Sequence, residues 1–197
     1  MKTPDDYKRA DVREVFSRRL GSNIITLNPL SIKIEESLEE ENTLVDLAFD
    51  KVEDGVRTSY NFEKVPGSGF VDAIYKMCYE LFVKQFPSLE NLSLVDVLVR
   101  PIFSMSKSEA KTDAKTDVSF RIKTKQHGIS EFTTRSRSIV YSCLSSMLEA
   151  FQFYMNCDKS FRLLQRVLQD AQVRRRGDIK QACMLDLSAL TGVNTYA

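Results

Sequence analysis

Apolar positions recur along this chain at two spacings, and the changes of spacing divide it into elements. Thr3-Pro4-Asp5-Asp6 has the composition of a helix start: a cap, a proline, and two acids suited to the positive end of the helix dipole. Val12, Val15, Phe16 and Leu20 follow at steps of three and four until Gly21 ends the run, which predicts a short amphipathic helix. From Leu27 the period becomes two. Leu30, Ile32 and Ile34 alternate with polar neighbours, then Leu44, Val45, Leu47 and Phe49, then Val56, Tyr60 and Phe62, with Glu53-Asp54-Gly55 as a hairpin turn. Three antiparallel strands are expected. Pro66-Gly67-Ser68-Gly69 then opens a stripe of Val71, Ile74, Tyr75, Cys78, Leu81 and Phe82, a helix that ends before Pro87 and lies on the sheet.

The second half repeats this order. Alternation runs through Leu94, Val97, Val99 and Ile102, through Val118, Phe120 and Ile122, and through a strand from Ile129 to Thr134. A helix follows with Ile139, Val140, Cys143, Leu144, Met147, Leu148 and Phe151 on one face. The expected fold class is α+β: two βββα units that either share a sheet or sandwich their helices, preceded by the N-terminal helix. After Asn156-Cys157-Asp158 a separate helix is expected through Phe161, Leu164, Val167, Leu168 and Ala171, capped by Asp158 or Ser160. Leu185 to Val193 reads either as one more short helix or as a tail. The resulting division is 1–24 for the leading helix, 25–157 for the duplicated domain and 158–197 for a helical extension.

Composition narrows the function. A chain of 197 residues supports one domain with a proper core. Its 28 basic and 27 acidic residues leave a formal charge of +1, so no global field draws it to nucleic acid or anionic lipid. The acidic N-terminus is unlike a signal or transit peptide, and no apolar run approaches the roughly 18 residues of a membrane span, so a cytoplasmic location is expected. Cys78, Cys143, Cys157 and Cys183 stand far apart without a C-x-x-C pair, and buried reduced thiols are expected rather than a disulfide framework or a zinc site.

Catalytic chemistry has little material here. His127 is the single histidine, beside Gly128 in a hairpin, and reads as a turn residue rather than a metal ligand or general base. No G-x-S-x-G or phosphate-binding glycine loop occurs, so no catalytic residue, metal or cofactor is assigned. Arg174-Arg175-Arg176 reads as a solvated helix end before a phosphate contact, and the Lys111 to Asp117 run as a polar loop. The most informative stretch is Gly67-Ser68-Gly69-Phe70-Val71-Asp72-Ala73. Two glycines permit a tight turn and leave the amides of a helix N-terminus open to a carboxylate. The plainer alternative is a strand-to-helix connection capped by Ser68.

That stretch resembles the G-x-G-P-V-D-A segment in the C-terminal regulatory domain of 2-isopropylmalate synthases and their citramalate and homocitrate synthase relatives. Leu94-Val95-Asp96-Val97-Leu98-Val99 is similar to the family's strand after the first helix, Thr112-Asp113-Ala114-Lys115-Thr116-Asp117-Val118 to its G-T-D-A-x-A-x-V segment, and Asp11 to Phe16 to its leading helix. The resemblance spans roughly residues 8 to 155. It implies a two-fold homodimer in which an end-product amino acid, leucine or isoleucine, binds near the interface and inhibits a distant acyl-CoA condensing site. Residue by residue it carries to Gly67, Gly69, Val71, Asp72 and Ala73, and to Asp113 and Ala114. The chain departs from the pattern in three places: Phe70 stands for a proline, Lys111 for a glycine, and the stretch Arg135 to Ser142 lacks the acid that opens the family's second helix. The catalytic barrel is absent from these residues, so inhibition requires a barrel partner in cis or trans. The alternative is a stand-alone dimerisation or scaffold domain without ligand binding. An RNA-binding module is disfavoured by the balanced charge and the lack of an aromatic RNP-like strand.

Overall fold

The computed structural model describes residues 4–37, 39, 42–102 and 115–196. Helix α1 (Pro4–Arg19) buries Val12, Val15 and Phe16, and Gly21 adopts φ +56 just beyond its end, where an L side chain would be strained. Strands β1 (Thr26–Ser37), β2 (Asn42–Glu53) and β3 (Val56–Gly67) form one antiparallel sheet in that order. Glu53 faces Val56 across a two-residue turn in which Asp54 and Gly55 both have positive φ, the geometry that matches the twist of a hairpin.

Irregularities in this sheet re-aim single side chains. Register shifts at Leu30, so Ile32 and Ile34 pack inward while Leu30 is 59% exposed, contrary to the simple alternation of the sequence. A second shift lies opposite Asp46, where Lys64 adopts φ +52 and donates its backbone N–H to Asp46 Oδ1 at 2.8 Å.

Helix α2 (Phe70–Phe82) covers β2 and β3 with Ala73, Ile74, Met77, Cys78 and Phe82. Phe49, Tyr60 and Phe82 meet there with ring centroids 5.3 to 6.2 Å apart. A short 3-10 turn at Pro87–Asn91 leads to β4 (Leu92–Ile102), β5 (Lys115–Thr124) and β6 (Ile129–Ser136), a separate antiparallel sheet in that order. The fold is therefore α+β with two three-stranded sheets, each packed against helices. The units do not share a sheet. Their helices touch, Tyr75 lying 5.7 Å from Phe151.

Helix α3 (Ile139–Val173) runs unbroken for 35 residues, and position 158 falls inside it rather than at a boundary. Asn156-Cys157-Asp158 reads as a helix break in sequence, with Asp158 or Ser160 as the next cap, because such side chains compete for backbone groups. In the fold those groups belong mainly to other segments, although Asn156 also donates to the Gln152 carbonyl of its own helix at 2.9 Å. Asn156 accepts from the Ile25 N–H at 2.8 Å and donates to the Ile25 carbonyl at 2.9 Å, while Asp158 accepts from the Ser88 N–H at 3.2 Å. Ser160 is fully buried inside the helix and caps nothing. Helix α4 (Gly177–Thr191) resolves the ambiguous end as a helix whose buried residues are Cys183, Asp186 and Leu190, too few to make a strong pattern. Asp186 holds α4 to α1 by accepting from Arg18 and Arg19. Among the described residues no helix is long and apolar enough to cross a membrane.

Candidate functional site

The glycine turn joins β3 to α2, and its first glycine has a steric cause. A Cβ on Gly67 would sit 2.7 Å from the Ala73 nitrogen and 2.8 Å from the Ala73 Cβ. Only a residue without a side chain lets the strand end press this closely on the first turn of the helix. Gly69 is different: its φ of 178 is ordinary extended backbone, and a Cβ there would meet nothing within 4 Å. It occupies the cap position and leaves the helix end uncovered. Ser68 is not the cap.

Asp72 reaches back across this end. Its Oδ2 accepts from the Ser68 N–H at 3.1 Å, the Ser68 hydroxyl at 3.2 Å and Lys76 Nζ at 2.8 Å. The Lys76 hydrogen bond, offset in part by burial and aided by Ser68, holds the Asp72 carboxyl below its usual range. The anion preference of the helix start is thus met in part by the chain's own carboxylate.

The seven residues implied by the resemblance take different places. Ala73 is fully buried beneath Gly67, and the two serve packing. Gly69 and Val71 are half-buried at the start of α2, with Phe70 between them also half-buried. Asp113 and Ala114 lie outside the described residues, as does Lys111. Downstream, Asp117 is held by a two-pronged contact from Arg135, at 2.6 and 2.8 Å, and this bonding lowers its carboxyl below the usual range. The basic residue that departs from the family pattern therefore has an internal partner.

A cleft of about 540 Å³ opens beside the turn between β3 and α2, lined by Phe62, Val65, Met77, Leu81, Lys76 and Glu80 among others. Lys76, which pairs with Asp72, connects it to the helix start. Phe62 and Leu81 read in the sequence as core. They are half-buried because β3 is an edge strand among the described residues and α2 leaves a gap along it. Nothing in a linear pattern separates a core position from a cleft wall.

The remaining chemistry-bearing residues are accounted for locally. All four cysteines are free and buried, and burial pushes the Cys143 thiol up to about 11 and that of Cys78 higher still. His127 lies half-buried in the turn between β5 and β6. Among the described residues no group of three metal-ligating side chains converges. Arg174 pairs with Asp170, and Arg176 pairs with Asp178, which depresses that carboxyl to about 2. No family model matches the chain, and no curated protein is significantly similar to it.

Proposed function

We propose that this chain is an allosteric regulatory domain of the 2-isopropylmalate and citramalate synthase type. It binds a branched-chain amino acid, leucine or isoleucine, at the interface of a homodimer and feedback-inhibits an acyl-CoA condensing enzyme. The condensing barrel is supplied by another segment or another chain. The observation that carries this reading is the repeated βββα order with the Gly67-Ser68-Gly69 turn at the junction where the resembling family has its own glycine turn. The helix start at Gly69 to Val71 offers amides to a carboxylate, and the apolar cleft beginning one turn away suits a branched side chain. An effector acts here by differential affinity for two states, typically about 1 to 3 kcal/mol of coupling.

A second reading, a dimerisation or scaffold domain without ligand, is favoured by one feature of the same turn. The Asp72 carboxylate already occupies the Ser68 amide. A thermal-shift series with leucine, isoleucine, valine and their 2-oxo acids separates the two readings. Stabilisation by one amino acid, about 2.7 kcal/mol at a hundredfold excess over its dissociation constant, with loss of the shift in Gly69→Val, supports the sensor. A cooperative melt that no ligand moves supports the scaffold.

A further inference from the structure

Strand β4 is an edge of the second sheet: β5 is its strand neighbour on one side, and no strand of the described residues pairs with the other. Exposed edges are usually protected by charges, bulges or proline. On β4 the protection stands at the two ends. Register shifts at Val95, and Pro101 has no N–H to donate. Between them, residues 96–100 run in unbroken register against Arg121 to Asp117.

This stretch, Asp96-Val97-Leu98-Val99-Arg100, is complementary to itself. Asp96 and Arg100 lie opposite Arg121 and Asp117 and share the outer face of the sheet, while Val97 and Val99 lie opposite Phe120 and Val118 on the inner face. Val99 is 46% exposed although the Val118 beside it is fully buried, so the apolar surface continues uncovered to the edge. A second β4 set antiparallel about Leu98 brings Asp96 of each copy against Arg100 of the other, and Val97 against Val99. Moving the centre to Val97 or Val99 removes both charge pairs, so the charges select one register.

We infer that β4 is the contact between two copies of this chain, paired antiparallel about Leu98 so that the two second sheets join into one of six strands. The inference deepens the homodimer of the proposed function and rests on it. Such an isologous contact is what a two-fold axis requires.

Sedimentation of the full chain tests this. Asp96→Arg and Arg100→Asp each set like charges against each other and weaken self-association by roughly tenfold or more. Mixing the two variants restores association, because across the contact each introduced charge then meets its opposite, while within each chain the pairings with Arg121 and Asp117 are the same in the mixed and unmixed samples. Leu98→Cys, with the native cysteines buried, gives a disulfide-linked dimer on mild oxidation, since directly opposed strand residues lie about 4.5 to 5.5 Å apart at Cα. A dimer indifferent to both charge variants overturns the inference and leaves the proposed function standing. Variants that melt cooperatively yet fail to associate when mixed also overturn it. A parent chain that stays monomeric at high micromolar concentration overturns both this contact and the dimer of the proposed function.

Discussion

The two βββα units start their helices by opposite means. In the first, β3 meets α2 through a turn made close by the absence of a side chain, Gly67 lying against Ala73. In the second, β6 meets α3 through side chains. Ser138 Oγ accepts from the Tyr141 N–H at 3.1 Å, and Ser136 Oγ lies 2.7 Å from Ser142 Oγ. The first junction is closed by packing, with Asp72 bonding back to Ser68, and the second by serine hydroxyls without such a close backbone approach. The same order of elements therefore needs no shared sequence at its most constrained point, which is why the halves repeat in element order while scarcely matching in residues.

The units differ also in what their helices do. Helix α2 serves its own sheet and leaves a cleft along β3, whereas α3 covers β5 and β6, meets β1 and α2, and carries α1 and α4. The second unit is the centre of the molecule. Phe132, 1% exposed and packed on Phe153 and Tyr154 at 5.6 and 6.0 Å, belongs to that centre. Phe132→Ala should cost about 3 to 5 kcal/mol in urea unfolding, and Phe62→Ala at the cleft wall less than half as much. Equal losses would mean that the two units contribute alike.

Gly67→Val forces backbone apart at the Ala73 nitrogen and should cost about 2 to 3 kcal/mol, read as a fall in the denaturation midpoint. Ser138→Ala at the equivalent place should cost only about 1 kcal/mol, the loss of one cap, and it is the smallest change expected here.

Between these lies the tie that couples the units. Glu53 on the first hairpin accepts from Lys51 at 2.8 Å and from Lys159 of α3 at 3.0 Å. Burial pushes the Glu53 carboxyl up, but the hydrogen bonds from Lys51 and Lys159 outweigh it and leave it below its ordinary 4.5. A carboxyl depressed in the fold contributes stability that is present above 4.5 and is lost as pH falls through the lower folded value. Glu53→Gln should therefore cost about 1 to 2 kcal/mol at neutral pH. The variant and the parent should converge in stability on acidification, and a constant gap across the titration would remove Glu53 as the titrating group.

Much of the fold was legible because periodicity reports which side of an element meets the core. The shift from steps of three and four to steps of two located the six strands of the described residues, and Asp54-Gly55 declared its turn through the left-handed backbone that such residues accept. Sequence misled where a polar side chain is used at long range. Asn156 and Asp158 look like the end of one helix and the start of another, yet they satisfy Ile25 and Ser88 from within a single helix. The glycine turn was visible too, and the sequence alone raised both a strand-to-helix connection and a carboxylate cradle. Its geometry divides that stretch: Gly67 and Ala73 pack, Asp72 bonds back to Ser68, and Gly69 with Val71 remains at the open helix start. Local spacing alone is enough to fix the order of elements along the chain. The separation of the two sheets, the continuity of α3, and the edge position of β4 among the described residues follow only from contacts between segments distant in the chain.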